Sequence, residues 1–468
     1  MALLEDNRLF PTEPMIRDRA RTLYNEVRDL PIISPHGHTD PKWFARNQAF
    51  QDPAELFVTP DHYVFRMLHS QGIPLEAMGV PRADGGKTEQ DPRKIWRLFA
   101  ENFYLFRGTP SRIWIEHAFQ HVFGIDTRLS GETADALYDQ IAACLPQPAF
   151  RPRALFERFG IEALSTTESA LDDLRWHRII HDSDWNGNVV TTYRPDAVID
   201  PEFDGFANNI ERLGEITGED ATTWTGYLAA HRKRRAFFKT FGATASDHGH
   251  ATARTADLPQ DVAARLFDKA LRGQQRTEDA DMFRGHMLTE MARMSLDDRL
   301  VLQIHAGSAR NHSDDVMARF GRDKGYDIPT QTDYVTALKP LLNAVGGEAG
   351  LTIIVFTLDE TSFARELAPL AGHYPCLKLG PAWWFHDSPE GMRRFRQMTT
   401  ETAGFYNTVG FNDDTRAFLS IPARHDVARR VDCGFLAQLV AEHRIEDWEA
   451  AEVAHDLAYT LAKRAYRL

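Results

Sequence analysis

Short apolar stretches alternate with amphipathic patterns of helical period from residue 152 almost to the end of the chain. The stretches of strand length are residues 161–166, 188–193, 241–246, 301–305, 352–357, 375–379 and 407–411. Helical patterns lie between them, among them 172–182, 224–239, 261–272, 334–345, 362–371 and 389–402. Strands that alternate with helices indicate a parallel sheet whose faces are covered by helices.

One earlier apolar stretch, at residues 30–34, follows a predicted helix at 14–28 and brings the predicted strands to eight. Eight strand–helix units are the number that closes a (β/α)8 barrel. Residues 51–150 differ, because aromatic-rich helical patterns are broken there by Pro and Gly and no strand pattern occurs. We therefore predict an α/β fold, a (β/α)8 TIM-type barrel with an all-helical insertion after the first strand.

The predicted parts are an N-terminal helix and first strand in residues 1–50, the insertion in 51–150 and the rest of the barrel in 151–468. A doubly wound open sheet is the competing fold. Against it, no G-x-G-x-x-G follows the first strand and the chain contains no P-loop sequence.

The first predicted strand runs directly into His36 and His38, which Gly37 separates. Side chains two residues apart on an extended segment share one face, so both imidazoles can aim at one point, as a bound divalent metal requires. The alternative is a pair of exposed loop histidines.

Polar and aromatic side chains also follow the later strands, and in a barrel of this type the active site lies at those carboxyl ends. The residues in question are Thr167, Arg194, Asp247, His248, His250, His305, Trp383, Trp384, Asp414 and Arg416. Structural alternatives stay open for all of them. The arginines could form ion pairs, the aspartates could cap helices, and the tryptophans and His305 could belong to the core. We interpret His248 and His250 as loop residues or as groups behind the site. The shared placement of the whole set favours a functional site.

The composition restricts the classes of partner. The chain has 468 residues, of which 54 are basic and 67 acidic, giving a formal charge of −13, and its hydrophobic content of 43% is that of an ordinary globular protein. The acidic balance argues against general binding to nucleic acid or to an anionic membrane. Cys144, Cys376 and Cys433 form no Cys-x-x-Cys pair, and the N-terminal sequence has no secretion pattern. We therefore expect reduced thiols and a cytoplasmic location.

Seven sequence motifs, in order along nearly the whole chain, resemble those of the uronate (glucuronate) isomerases, divergent members of the amidohydrolase superfamily. They are P-H-G-H-T-D at 35–40, D-H-Y-V-F-R-M-L at 61–68, T-T-Y-R-P-D at 191–196, A-S-D-H-G at 245–249, Q-I-H-A-G at 303–307, A-W-W-F at 382–385 and D-D-T-R-A-F-L-S at 413–420. The resemblance implies interconversion of D-glucuronate with D-fructuronate and of D-galacturonate with D-tagaturonate. It also implies a set of site residues: His36, His38, Tyr63, Arg194, Asp247, His305, Trp383, Trp384, Asp414 and Arg416.

The sequence departs from the wider superfamily at two places. Many members have a bridging Lys or Glu after the fourth strand, where this chain has Asp247, and a His after the sixth strand, where it has Thr357. We therefore expect one divalent ion, zinc first, with His36, His38 and Asp414 as ligands. Mn²⁺ and Fe²⁺ suit the same donors, and the need for the ion in turnover stays open.

We expect isomerisation by proton transfer through a cis-enediol, with Asp414 as the first choice of general base and Tyr63 as the second. His36 and His305 complete the predicted catalytic set, and His305 could instead complete the metal shell. Arg194 and Arg416 are the candidates for the substrate carboxylate, with Arg424 third. Asp247, Trp383 and Trp384 are predicted to contact substrate. The segment 305–333 is predicted to be a lid or a subunit contact, with an ordinary surface loop as the alternative.

Two rival functions stay open. A metal-dependent hydrolase of the same superfamily would cleave a neutral amide or lactone and would require its metal. A non-catalytic sugar-acid binding protein would bind uronates without forming ketose. Apart from a small-molecule hexuronate, we expect a second copy of the chain as partner, in a homo-oligomer for which a trimer is one option.

Overall fold

The computed structural model describes residues 3–468, and within that range seven parallel strands form one sheet. The strands are β1 (Ile32–Ser34), β2 (Ile161–Ser169), β3 (Val189–Arg194), β4 (Ala245–His248), β5 (Val301–Ala306), β6 (Ile353–Thr357) and β7 (Leu377–Leu379). Each strand pairs with the next one along the chain, which is the order of a TIM-type barrel. The predicted α/β barrel class is therefore confirmed.

The predicted eighth strand at 407–411 does not form as a regular strand. Leu379 N donates to Asn407 O at 2.9 Å and Val409 N donates to Leu379 O at 3.1 Å, so this segment makes only a single parallel bridge to β7, between Leu379 and Thr408. Gly410 follows with a φ of +73°, a left-handed conformation that ends the extended run.

The fourth strand was predicted at 241–246 and lies further along the chain. Residues 241–243 belong to the turn after the helix Trp224–Lys239, where Gly242 has a φ of +81° and its N–H donates to Lys239 O at 3.1 Å. The strand begins at Ala245 and ends at His248, so Asp247 and His248 lie on the strand itself. That shift moves both side chains from a predicted loop into the buried interior.

Helices cover the sheet. The α-helices are Pro14–Val27, Pro41–Arg46, Pro53–Phe57, His62–His69, Pro92–Glu101, Pro110–His117, Ala134–Cys144, Pro152–Arg158, Arg175–His181, Asp196–Ile199, Phe206–Thr217, Trp224–Lys239, Gln260–Leu271, Thr277–Asp298, Asp314–Phe320, Tyr334–Val345, Ala368–Ala371, Pro389–Ala403, Ile421–Ala441, Asp447–His455 and Leu461–Tyr466. Short 3-10 and π turns extend several of them, including Ala118–Val122, Phe363–Leu367 and Asp456–Thr460. A two-residue antiparallel pair, Ser308–Ala309 with Ile328–Pro329, closes the base of the long loop after β5.

The described chain between β1 and β2 consists of helices and connecting loops and contains no strand, as the aromatic pattern predicts. Three of its helices start at an Asp-Pro pair, where Asp40, Asp52 and Asp91 cap backbone N–H groups and the following proline suits the first helical turn. Trp96, Phe99 and Phe119 fill the centre of this helical region. The proposed boundaries at residues 50 and 150 stay a prediction. Nowhere in residues 3–468 is there a helix both long enough and apolar enough to cross a bilayer.

Candidate active site

A cavity of about 360 Å³ lies at the carboxyl ends of the barrel strands, within the size range of small-molecule sites. The structure places in its wall every residue of the predicted set: His36, His38, Tyr63, Arg194, Asp247, His305, Trp383, Trp384, Asp414 and Arg416. These residues come from seven separate parts of the chain, and the parallel strands bring them to one rim. Their chemical roles stay predictions.

His36, His38 and Asp414 form the first group of polar side chains. His36 Nε2 lies 3.7 Å and His38 Nε2 lies 3.2 Å from Asp414 Oδ1. Asp414 has a φ of +35°, unusual for a residue with a Cβ, and its N–H donates to Asn412 Oδ1 at 3.1 Å. Such backbone conformations concentrate at functional sites, where the surrounding structure holds them.

His305, Asp247 and Arg194 form the second group. His305 Nδ1 lies 2.5 Å from Asp247 Oδ1, and Asp247 Oδ2 lies 3.2 Å from Arg194 Nη1. Nδ1–H of His305 donates to this carboxylate, and in the neutral form of the ring Nε2 is then the acceptor. The His305 ring also stacks on His36, with centroids 4.9 Å apart, and on Phe356 at 4.0 Å. These contacts fix the imidazole between the two groups.

The electrostatics set the protonation states. Burial lowers the pKa of His36 to about 4, so its imidazole is neutral at pH 7. Burial alone would raise the pKa of Asp414, but the neighbouring His36 and His38 outweigh it and hold that pKa well below its usual range. Burial likewise favours the neutral form of Asp247, but the neighbouring His305 and Arg194 outweigh burial and keep the pKa of Asp247 low. The site therefore combines a neutral imidazole with ionised carboxylates.

Two overlapping sets of side chains could hold a metal ion: His36 with His38 and Asp414, and His36 with Asp247 and His305. In each set the candidate ligand atoms lie within 4.8 Å of one another. His305 Nε2 is buried with no hydrogen-bond partner in the described chain, and Asp414 Oδ1 and Asp247 Oδ2 are buried with only the ion-pair contacts to His36, His38 and Arg194 given above. Neutral imidazoles and carboxylates are donors that zinc accepts, so these residues fit a divalent ion.

Behind the first group lies a layer of polar side chains, of which the sequence analysis named only Thr167. Gln303 Nε2 is 3.4 Å and Thr167 Oγ1 is 3.5 Å from His36 Nδ1. The hydroxyl of Tyr466, in the helix Leu461–Tyr466, donates to Gln303 Oε1 at 3.0 Å. A layer of this kind orients a metal-binding imidazole. Only the register of β5 indicates Gln303 in advance, because it lies two residues before His305 on the same face.

The three predicted arginines differ in their partners. Arg194 is held by Asp196 at 2.8 Å and by Asp247, whereas Arg416 donates only to the backbone O of Asp323, at 3.2 Å. Arg424, the third candidate for the substrate carboxylate, does not line the cavity. It is 1% exposed, pairs with Asp387 and lies 3.5 Å over the Trp114 ring. That side chain is a core ion pair.

Aromatic side chains form another part of the wall. Burial raises the pKa of Tyr63 above its usual value, with the Arg424 cation opposing the shift, so its phenol stays protonated at neutral pH. Trp383 packs edge-on against His305 at 4.7 Å, and Trp384 has a φ of +48° and a buried Nε1 without a partner in the described residues. Trp383 therefore belongs both to the core and to the cavity.

His248 and His250 lie outside the cavity wall. Both are buried, and burial lowers the pKa of each. His248 Nδ1 contacts the backbone O of Gln303 at 3.1 Å. Of the two interpretations given above, the position behind the site fits these residues, and an exposed loop does not.

The long loop after β5 closes one side of the cavity, and the sequence analysis assigned no site residue to it. Arg310, Asn311, Arg322 and Asp323 from this loop line the cavity. The loop is tied to the helical region by Arg319, which pairs with Glu76, and by the N–H of Ala83, which donates to Arg319 O at 2.9 Å. It forms part of the cavity wall, as a lid does, and the alternative of a subunit contact stays untested.

A parallel barrel whose strand ends present imidazoles and carboxylates to one polar cavity defines a TIM-type barrel enzyme with a candidate metal site. The comparisons with known proteins then narrow the class. The family model described as glucuronate isomerase matches residues 10–466. A uronate isomerase of Mesorhizobium japonicum is 66% identical over 468 residues, which is 100% of both chains.

Solved structures agree with this result. The crystal structure of glucuronate isomerase from Caulobacter crescentus superposes with a TM-score of 0.97 at 59% identity, covering 99% of this chain and 97% of that one. That of uronate isomerase from Thermotoga maritima gives 0.92 at 28% identity, with 100% of both chains covered. The chain therefore belongs to the glucuronate isomerase family, and its activity is the aldose–ketose isomerisation of a uronate. The predicted family is confirmed.

Proposed function

We propose that the protein interconverts D-glucuronate with D-fructuronate, and D-galacturonate with D-tagaturonate, in the cavity at the barrel rim. The observation that carries the proposal is the meeting of His36, His38 and Asp414 with guanidinium groups around one space of about 360 Å³. Such a site suits a small acid that reacts at its carbonyl end and is held at its carboxylate end. The family membership and the names of its relatives support the same substrates.

We propose one divalent ion in this site, zinc first, held by His36, His38 and Asp414. The two possible ligand sets share His36, which favours a single ion. A bound ion would supply Lewis-acid polarisation of the substrate's oxygens. The low pKa of His36 and the ionised Asp414 support this assignment, since a metal requires neutral imidazole and anionic carboxylate.

Isomerisation needs a group that takes the proton from C2 and returns it at C1. Asp414 is the proposed base, because it is ionised at neutral pH and can only accept. Tyr63, which stays protonated, is the proposed donor to a substrate oxygen. Neutral His305 would present Nε2 as an acceptor for a sugar hydroxyl, because its Nδ1–H donates to Asp247 Oδ1.

The remaining side chains bind and enclose the substrate. Arg194 and Arg416 are the proposed partners of its carboxylate, because a guanidinium presents paired N–H donors to two oxygens. Asp247 orients Arg194 from one side. Trp383 and Trp384 are proposed as the apolar wall that excludes water from the reacting carbons.

The test is an NMR assay of the purified protein with glucuronate and with galacturonate in D₂O, with and without a chelator. We expect ketose formation, with solvent deuterium at C1 of the ketose and, in the reverse direction, at C2 of the aldose. Full retention of the substrate hydrogen over many turnovers would instead favour a hydride shift. Hydrolysis of a lactone or amide without ketose formation would support the hydrolase alternative, and saturable binding without any reaction would support a binding protein.

Two further assignments are proposals of the same kind. We propose a cytoplasmic location, because Cys144, Cys376 and Cys433 are all free thiols. We also propose a homo-oligomer, with a trimer as one option, supported by the exposed Met15 and Trp448, which are 62% and 66% exposed on neighbouring helices. Light scattering on the purified protein measures the subunit number, and a monomer would contradict the second assignment.

A further inference from the structure

Two guanidinium groups meet beside Gly249, one from Arg194 at the end of β3 and one from Arg310 in the long loop after β5. A Cβ on residue 249 would stand 2.3 Å from Arg194 Nη2 and 2.9 Å from Arg310 Nη2. A Cβ at this position would force the tips of both guanidinium groups to shift. Glycine therefore leaves the space in which two cations from distant parts of the chain approach each other.

The other nitrogens of both arginines are already occupied. Arg194 Nε donates to Asp196 Oδ2 at 2.8 Å, and its Nη1 lies 3.2 Å from Asp247 Oδ2. Arg310 Nε donates to the backbone O of Gly249 at 3.2 Å, and its Nη1 donates to Asp327 Oδ2 at 3.2 Å. These contacts lock the orientation of each guanidinium plane.

Each Nη2 group, by contrast, has no hydrogen-bond partner in the described part of the chain. Neither Nη2 atom is among the fully buried polar atoms that lack a partner, so neither is sealed from solvent. Both arginines line the cavity. Two charged N–H donors thus reach the same spot from two directions and stay accessible from the space that receives the substrate.

Two guanidinium groups this close repel each other, which favours an anion between them. The carboxylates of Asp196, Asp247 and Asp327 contact the other nitrogens, and Asp323 in the same cavity wall adds a negative charge nearby but forms no ion pair with either arginine. A carboxylate accepts charge-assisted hydrogen bonds from two such donors at once. The group of matching size and charge on a hexuronate is its C6 carboxylate.

We propose that Arg310 is a substrate-binding residue, which completes with Arg194 a two-arginine clamp on the uronate carboxylate. The inference rests on the proposed substrate and deepens it. It assigns the long loop a direct part in selecting acids over neutral sugars. Gly249 is then a positioning residue, because its missing side chain lets the clamp form.

The experiment compares Arg310→Met with Arg265→Met, which removes an exposed guanidinium at a position outside the cavity and outside the long loop. Measured quantities are kcat and KM for the uronate, and inhibition constants for gluconate and for sorbitol, of which only gluconate carries a carboxylate. For Arg310→Met we expect KM and the gluconate inhibition constant to rise about 10- to 100-fold, with a smaller change in kcat and no change for sorbitol. Arg265→Met is expected to keep the wild-type values.

If Arg310→Met folds poorly, Gly249→Ala and Arg310→Lys test carboxylate binding by the clamp independently. Gly249→Ala is expected to weaken gluconate binding as Arg310→Met does, and Arg310→Lys to give intermediate values, since its ammonium keeps the charge without the planar fork. Gluconate binding within twofold of wild type in folded Arg310→Met, or in Gly249→Ala and Arg310→Lys together, would overturn the clamp. Failure of the wild-type protein to isomerise any uronate would instead overturn the proposed function itself.

Discussion

Arg416 gives the cleanest test of the substrate-binding assignment, because its guanidinium makes few contacts within the protein. Its Nη1 donates to the backbone O of Asp323 at 3.2 Å, and no carboxylate in the described chain lies within ion-pair distance of it. Arg416→Met therefore breaks no ion pair, although it removes a positive charge that helps to keep the pKa of Asp323 low. The substitution keeps an apolar stem of similar length, so its main effect falls on the substrate.

The size of the effect follows from the contacts that are lost. A hydrogen bond to a charged group contributes about 1.5–3 kcal/mol. Loss of two such bonds to the uronate costs about 3 kcal/mol, or roughly 150-fold in kcat/KM. The free energy of unfolding is expected to change by only about 0.5 kcal/mol, as for other substitutions that break no buried network.

The assay measures initial rates of ketose formation over a range of glucuronate concentrations, beside a thermal melt of the same preparation. A kcat/KM within threefold of wild type, with an unchanged melt, would refute the placement of Arg416 at the substrate. A large drop in melting temperature would show that Arg416 is structural instead.

Three further predictions separate the other groups of the site. Arg194→Met, unlike Arg416→Met, is expected to lower both kcat/KM and stability, because it strips the buried Asp247 and Asp196 of their cation at a cost of about 3–5 kcal/mol; an unchanged melting temperature would contradict those ion pairs. His38→Ala is expected to weaken metal affinity at least 10-fold, measured by competition with a chromogenic chelator, and equal metal content in variant and wild type would remove His38 from the ligands. Burial raises the pKa of Glu168 to about 8, so the protonated carboxyl contributes stability below about pH 4.5 that is lost as pH rises through 8. Glu168→Gln should therefore flatten the stability–pH curve over that window by about 3–5 kcal/mol in urea titrations, and parallel curves for the two proteins would contradict it.

Much of the barrel could be predicted from local pattern. Buried parallel strands are short apolar runs, and helices such as Trp224–Lys239 and Tyr334–Val345 match the predicted bounds because their amphipathic period and capping residues are local. Two strands differ from their predicted bounds. β4 starts later than its apolar run, since Gly242 turns the chain first, and residues 407–411 make only one bridge, since Gly410 turns the chain away.

The candidate residues were predictable where a strand end carries them. His36, His38, Asp247, His305 and Asp414 lie at strand ends, or just after them, at positions that parallel topology places at one rim. The place of Arg424 was not predictable, because nothing in the sequence distinguishes a core ion pair with Asp387 from a substrate contact.

The sequence by itself determined the period of the strands, the order of the helices and the chemical groups at each strand end, because these depend on neighbouring residues. Only the tertiary structure decided which of those groups meet. The convergence of Arg194 with Arg310 beside Gly249, and of Tyr466 with Gln303 behind His36, joins segments more than 100 residues apart. Contacts of that kind depend on the packing of the whole barrel and cannot be predicted from a local sequence pattern.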